Sequence, residues 1–185
     1  YDAIVLGSGI DQKSEKYVQF LTKKLSKLKV VDSRALQFLS FKEFENCILT
    51  VNEQELFQML TNSQKEFLIS KLKAANAKSK AEILQGNLRY FLHNNNVILF
   101  KGPTDIIISR NKVHFNRTGN PGMTSRGTGD ILAGLIGGFL GKTQDLVKAA
   151  NAGSFVNGTI ADKIHAKTKN YSYIASDILA DLEKI

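Results

Sequence analysis

The segment best suited to chemistry is a run of glycines, hydroxyl side chains and one aspartate that leads into an apolar stretch. It reads GNPGMTSRGTGD over residues 119–130, and apolar residues recur behind it at helical spacing as far as residue 140. A helix that begins here would present free backbone N–H groups and the positive end of its dipole to an anion. Phosphate is the anion that such a loop suits, so we expect Gly127, Thr128 and Gly129 to bind phosphate.

An aspartate, Asp130, stands at the same place, where its charge would repel bound phosphate unless it has a chemical task. Its carboxylate could accept the proton of a hydroxyl while the N–H groups hold the charge that develops during phosphoryl transfer. An aspartate in a first helical turn is also commonly a cap or a favourable partner of the dipole. The GTGD segment alone leaves both readings open. It is not a P-loop, because GxxxxGK[ST] is absent.

Strand-like and helix-like segments alternate along the chain, and these elements would have to position the loop. Short apolar runs bounded by turn residues predict strands over residues 2–6, 30–32, 47–51, 97–100, 106–109 and 112–115. Apolar residues at helical spacing predict helices over residues 14–25, 80–93, 145–164 and 175–182, besides the one behind the glycine loop. Alternation of this kind predicts an α/β fold, a mostly parallel sheet with helices on both faces. We expect the last two strands to form a hairpin and the polar, lysine-rich residues 62–79 to form a mobile loop.

Composition limits the function classes. The 185 residues suit a single domain over residues 1–185, and 25 basic against 17 acidic side chains give a net charge of +8. The lysines are spread among acidic and amide side chains without a nucleic-acid motif, so we expect attraction of anionic substrates and no nucleic-acid partner. The longest apolar run is interrupted by glycines, which predicts no membrane association. The one cysteine, Cys47, suits a core position in a cytoplasmic protein.

Several segments together resemble the ADP/ATP-dependent NAD(P)H-hydrate dehydratases, repair enzymes of the ribokinase-like superfamily. The glycine loop, GNPGM followed by GTGDILAG, is similar to their signature, and Lys101-Gly102 followed by Asp105 resembles a segment that contacts the nucleotide in that family. The GSG at residues 7–9 stands where the family usually has Gly-Pro-Gly. The resemblance covers nearly the whole chain. It also implies that a strand–helix unit normally precedes the part of the domain present here.

The resemblance implies a reaction in which ATP or ADP drives dehydration of the 6S hydrate of NADH or NADPH, through phosphorylation of the ring hydroxyl. Asp130 would be the catalytic base. The implied nucleotide- and phosphate-binding residues are Lys101, Gly102, Pro103, Thr104, Asp105, Gly127, Thr128 and Gly129. The implied substrate-binding residues are Gly9, Asn52, Asn120 and Asp130. Mg²⁺ is implied by phosphoryl transfer, although no ligand set can be assigned. A homo-oligomer and fusion to an amino-terminal NAD(P)H-hydrate epimerase are implied as well.

Three departures from the family pattern keep other functions open. Asn52 replaces a substrate-contacting histidine of a PHPGE segment, and only Glu55 of that segment remains. Arg34 reverses the charge of an aspartate, and Arg126 stands where glycine is usual before Gly127. The alternatives are a ribokinase-like kinase acting on a small alcohol, or an inactive nucleotide-binding scaffold domain.

Overall fold

A six-stranded sheet forms the centre of the computed structural model, which describes residues 2–25 and 27–182. The strands, which follow one another across the sheet in chain order, are β1 (Ala3–Leu6), β2 (Leu28–Asp32), β3 (Cys47–Val51), β4 (Val97–Phe100), β5 (Asp105–Ile108) and β6 (Val113–Asn116). Strands β1 to β4 are parallel, whereas β5 pairs antiparallel with β4 and with β6. The mostly parallel sheet and the closing hairpin are therefore confirmed.

Helices fill most of the connections between the strands. They are α1 (Glu15–Lys24), α2 (Arg34–Gln37), α3 (Glu53–Asn62), α4 (Phe67–Ala74), α5 (Ala77–Asn87), α6 (Arg89–His93), α7 (Thr128–Thr143), α8 (Leu146–Thr168) and α9 (Ala175–Leu182). A further 3-10 turn, Pro121–Thr124, lies within the glycine loop. None of the helices in the described ranges is both long and apolar enough to cross a membrane.

Both faces of the sheet are covered, as the alternation of elements predicted. Neighbouring strand residues point to opposite faces, so Val30 packs with α7 and α8 while Val31 packs with the layer formed by α1 to α6. Ile48 and Leu49 divide in the same way on β3. Helix α9 packs on α7 and α8 around the fully buried Ile178. Two helical layers therefore enclose the sheet, with the glycine loop at the start of one of them.

The prediction of a mobile loop over residues 62–79 was wrong. This region completes α3, contains the whole of α4 and begins α5. Leu68 and Leu72, one helical turn apart, are both buried in the core cluster where α4 packs on α3 and α5, and Lys71 and Lys73 lie exposed between and after them. Two buried leucines at helical spacing stabilise this short helix by tertiary packing. The many polar residues between 62 and 79 make that spacing hard to recognise in the sequence.

The single helix predicted over residues 80–93 is two helices. Leu88 leaves the helical conformation, with φ −111° and ψ 27°, and separates α5 from α6. Its side chain is buried in the same cluster as Leu84 and Leu92. The unit expected before β1 remains a prediction. Tyr1, Ser26 and residues 183–185 of the predicted domain lie outside the described ranges.

Candidate active site

The carboxyl ends of β1 to β4 lie side by side because these four strands are parallel. They bring together the loop at residues 7–9, Asp32, Asn52 and Lys101. Gly7 adopts φ 135°, and a methyl group built on it would lie 1.8 Å from the Asp32 carbonyl oxygen. Only glycine fits that position, and its presence lets the loop after β1 approach the end of β2 closely.

Helix α7 begins where the sequence predicted, with Gly127 as its N-cap in the left-handed region at φ 88°. The hydroxyl and N–H of Thr128 both donate to the Ser125 carbonyl, at 2.9 and 3.4 Å, so Thr128 shapes the loop. The N–H groups of Gly129 and Asp130 have no hydrogen-bond partner among the residues that the structure describes. Two free amides at the start of a 16-residue helix form an anion-binding arrangement.

Lys101 brings a positive charge beside this helix start. Its Nζ lies 2.9 Å from Asp32 Oδ1 and 3.5 Å from Glu55 Oε2. A methyl group built on Gly129 would lie 3.9 Å from the same Nζ. Asp32 is only 1% exposed and also accepts a hydrogen bond from the Thr50 hydroxyl at 2.5 Å. Lys101 is thus held by a fixed carboxylate within reach of an anion bound at α7.

The carboxylate of Asp130 is exposed at the helix start, and its Oδ1 accepts a hydrogen bond from the Ser8 hydroxyl at 2.5 Å. Gly9 follows with φ 72°, and a methyl group built on it would have open space within 4 Å. Sequence reasoning identified Gly9 and Asp130 but missed Ser8. The available signal was its position two residues after the end of a parallel strand, at the edge of the sheet where the site forms.

Asn120 is engaged within the protein. Its Oδ1 accepts from Gly122 N–H at 3.1 Å and from the Tyr173 hydroxyl at 2.6 Å, and its Nδ2 donates to Asp162 Oδ1 at 3.0 Å. Burial raises the pKa of Tyr173, which keeps this phenol protonated as the donor. Asp162 also accepts from Gly119 N–H at 2.9 Å. The visible role of Asn120 is to hold the glycine loop against α8 and the segment before α9.

Asn52 is the N-cap of α3. Its side-chain oxygen accepts from Glu55 N–H at 2.9 Å, and Glu55 Oε2 accepts from Asn52 N–H at 2.8 Å. This reciprocal capping box stabilises the helix start. It also points the Glu55 carboxylate toward Lys101, so Asn52 acts on the site through Glu55. Direct contact of Asn52 with a substrate stays a prediction.

The predicted nucleotide segment lines a pocket of about 420 Å³ beside the helix start. The lining residues are Glu53, Ala77, Lys80, Phe100, Lys101, Gly102, Pro103, Thr104 and Ile106. Asp105 is not among them, since its Oδ1 accepts from Gly102 N–H at 3.1 Å and its Oδ2 from the Ser154 hydroxyl at 2.6 Å. Asp105 therefore folds the segment and fixes it to α8. Lys101 joins this pocket to the α7 amino terminus.

A family model described as NAD(P)H-hydrate dehydratase matches residues 1–184. The chain belongs to the NAD(P)H-hydrate dehydratase family. It is 31% identical over 181 residues to the bifunctional NAD(P)H-hydrate repair enzyme Nnr of Pyrobaculum aerophilum, an alignment that covers 97% of this chain and 34% of that protein. The family resemblance of the sequence motifs is confirmed.

Solved structures agree with this assignment. The ADP/ATP-dependent NAD(P)H-hydrate dehydratase of Bacillus subtilis, co-crystallised with ATP and Mg²⁺, superposes with a TM-score of 0.76 at 25% identity, covering 100% of this chain and 64% of that one. Ribokinase of Thermotoga maritima superposes with a TM-score of 0.58 at 14% identity, covering 98% of this chain and 57% of that one. The fold is therefore ribokinase-like. The chain spans about a third of the length of the Pyrobaculum relative.

Proposed function

We propose that this chain dehydrates the 6S hydrate of NADH or NADPH at the expense of ATP or ADP. The ring hydroxyl of the hydrate is phosphorylated, phosphate then leaves, and the normal dinucleotide is restored. Family membership supports the reaction class. The name of the Bacillus subtilis neighbour, with its dependence on ADP or ATP, supports the choice of nucleotide.

The observation that carries the proposal is the open amino terminus of α7. The free N–H groups of Gly129 and Asp130 and the Lys101 ammonium converge on one place, next to the exposed carboxylate of Asp130. The amides and the ammonium can donate hydrogen bonds to the oxygens of a transferring phosphoryl group. These bonds stabilise the negative charge on the group during the transfer. A carboxylate beside them suits the removal of a proton from the attacking hydroxyl.

Each residue then has a defined task. Asp130 accepts the proton of the substrate hydroxyl, and the amides at the helix start hold the phosphoryl oxygens. Lys101 neutralises charge on the nucleotide phosphates, and residues 102–104 bind the rest of the nucleotide in the adjoining pocket. The loop at residues 7–9, with open space at Gly9, contacts the hydrated dinucleotide.

Mg²⁺ fits this site as a partner of the nucleotide phosphates. No group of three or more acidic, histidine or cysteine side chains suited to a metal occurs within the described ranges. Mg²⁺ commonly uses one or two carboxylates together with substrate phosphates and water. Asp32 and Glu55 are the carboxylates beside Lys101, but both already pair with it and Asp32 is fully buried. The nucleotide phosphates and water would therefore supply most of the ligands. When bound, the ion would offset negative charge on the phosphates.

The wider setting of the activity is also proposed. The Pyrobaculum relative is named as a bifunctional repair enzyme, which supports our expectation that an epimerase domain accompanies this one. The homo-oligomer and the cytoplasmic location stay predictions from the sequence.

The test is restoration of the nicotinamide absorbance by the full-length protein incubated with hydrated NADH and either ATP or ADP. We expect recovery with at least one nucleotide, and Asp130→Asn should slow it by about 100-fold to 10,000-fold because a general base is lost. The matched control is Asp177→Asn. Asp177 is an aspartate in the first turn of α9, and its carboxylate accepts a hydrogen bond from Ile174 N–H. This variant should keep the wild-type rate.

The outcomes separate the candidate functions. Recovery that is unaffected by Asp130→Asn would show that Asp130 is not the base. Nucleotide binding without recovery would favour the scaffold alternative, which the exposed Arg34 and Arg126 motivate. Phosphorylation of a different small alcohol, with no effect on the hydrate, would favour the kinase alternative.

A further inference from the structure

Ser8 places a second hydroxyl group at the candidate base. Its Oγ donates to Asp130 Oδ1 at 2.5 Å, a short charge-assisted hydrogen bond. This is the contact that an acceptor hydroxyl must make with the base before it attacks a phosphoryl group. Both side chains are exposed at the surface of the site, so a bound nucleotide can reach them.

A closed ring of contacts surrounds the place where that phosphoryl group would lie. Ser8 contacts Asp130, whose neighbour Gly129 faces Lys101, and Lys101 is paired with Asp32. The ring closes through Gly7, which packs directly on the Asp32 backbone. The hydroxyl, the base, the free amides and the cation therefore all border the same space.

The loop that carries Ser8 is restrained on both sides. Gly7, at φ 135°, is pressed against the end of β2, and the residue after Ser8 has φ 72°. The serine is held at the base by this backbone path as well as by its hydrogen bond. Ser8 is the one serine or threonine in residues 1–13, so a phosphoserine or phosphothreonine in this stretch must be at Ser8.

We infer that Ser8 is itself a phosphoryl acceptor, so that the protein phosphorylates Ser8 when ATP is bound and the hydrated dinucleotide is absent. Ser8 Oγ forms a bond to the terminal phosphorus of ATP, the bond from that phosphorus to the β–γ bridging oxygen breaks, and ADP leaves. The hydroxyl proton passes to Asp130. The products are phosphoserine and ADP. The inference rests on the proposed function, because it uses the same base and the same phosphoryl site.

The test is mass spectrometry of the full-length protein after incubation with ATP and Mg²⁺ alone, followed by trypsin digestion. The fragment that ends at Lys13 should gain the mass of one phosphoryl group, located on Ser8. Ser8→Ala should abolish this gain. Asp130→Asn should lower its rate by about 100-fold or more because the proton acceptor is lost. Added hydrated NADH should reduce it, since substrate and Ser8 compete for one phosphoryl group.

The control is Ser14→Ala, which removes another serine that donates to a nearby carboxylate, Asp11, at 2.7 Å. Incorporation into Ser8 should be unchanged in this variant. An unmodified fragment from wild-type protein that dehydrates hydrated NADH would overturn the inference and leave the proposed function standing. Phosphoserine at Ser8 in a protein without dehydratase activity would support the inference and contradict the proposed function. If Ser8 is phosphorylated as fast in Asp130→Asn as in wild type, Asp130 is not the proton acceptor and the assigned chemistry is overturned.

Discussion

The ammonium of Lys101 and the buried carboxylate of Asp32, 2.9 Å apart, form the central ion pair of the site. The lysine side chain is 21% exposed and the aspartate 1%. Removing the positive partner of such a pair leaves a charge in a place that water reaches poorly, which costs far more than losing a surface pair. We therefore expect Lys101 to contribute to stability, apart from the nucleotide binding proposed for it.

We predict that Lys101→Met lowers the free energy of unfolding by about 2–3 kcal/mol, since Asp32 loses its cation but keeps the donated Thr50 hydroxyl. Adding Asp32→Asn should recover part of this loss, because no buried charge then remains. Urea unfolding of both variants measures the two values. The control is Lys80→Met, because the ion-pair partner of Lys80, Glu53, is half exposed. This variant should lower the free energy of unfolding by about 1 kcal/mol or less. Strictly additive losses in the double variant would contradict a buried ion pair.

Among the elements, α7 has the most demanding geometry, because it must start abruptly and leave its first amides open. Gly127 makes the abrupt start with φ 88°, and a methyl group built on it would meet the Ala175 side chain at 3.0 Å. Gly134 stands in the interior of the same helix with open space around it. We therefore expect the glycine that caps α7 and the glycine in its interior to affect stability in opposite directions.

We predict that Gly127→Ala lowers the free energy of unfolding by about 1–2 kcal/mol, because a side chain is strained in the left-handed region. Gly134→Ala should raise it by about 0.5–1 kcal/mol, because alanine favours a helix interior. Thermal unfolding of the two variants beside wild type gives both signs. Gly127→Ala should also weaken ATP binding, and Gly134→Ala should not. A Gly127→Ala variant as stable and as tightly bound to ATP as wild type would contradict the described helix start.

For the whole molecule, one buried charge links stability to pH. Lys29 lies in β2 with its side chain fully buried, opposite Cys47 of β3, and its Nζ donates to the Glu45 carbonyl at 2.8 Å. Burial lowers the pKa of Lys29 below its usual value. Cys47 is fully buried, which confirms the predicted core position, and burial raises the pKa of its thiol.

The lowered pKa gives the pH effect its sign. Between the folded-state pKa of Lys29 and its ordinary value, the unfolded chain holds more protons than the folded one, so this group makes stability rise with pH. We predict that the difference in unfolding free energy between wild type and Lys29→Met shifts in favour of wild type from about pH 7 to about pH 10. Urea unfolding at both pH values measures it. A constant difference would mean that Lys29 titrates alike in both states.

Much of this molecule could be predicted from short stretches of sequence, because the signals act between residues a few positions apart. Short apolar runs predicted the strands, helical spacing predicted α7 and α8, and the glycine loop predicted where α7 begins. The capping box of Asn52 and Glu55 was equally readable, as an acceptor followed three residues later by glutamate. The family resemblance instead implied that Asn52 binds the substrate.

Other features depend on residues that meet only after the chain folds. Ser8 and Asp130 are 122 positions apart, and Asp32 and Lys101 are 69 apart, so no local pattern joins them. Asn120 likewise meets its hydrogen-bond partners Tyr173 and Asp162 only in the folded chain. The packing of α4 through two leucines also depends on distant residues. Sequence alone determined the family, the alternating elements and the glycine loop at which α7 begins, since these depend on residues that are neighbours in the chain. The tertiary structure decided which side chains share a hydrogen bond, because parallel strands bring distant strand ends to one edge of the sheet.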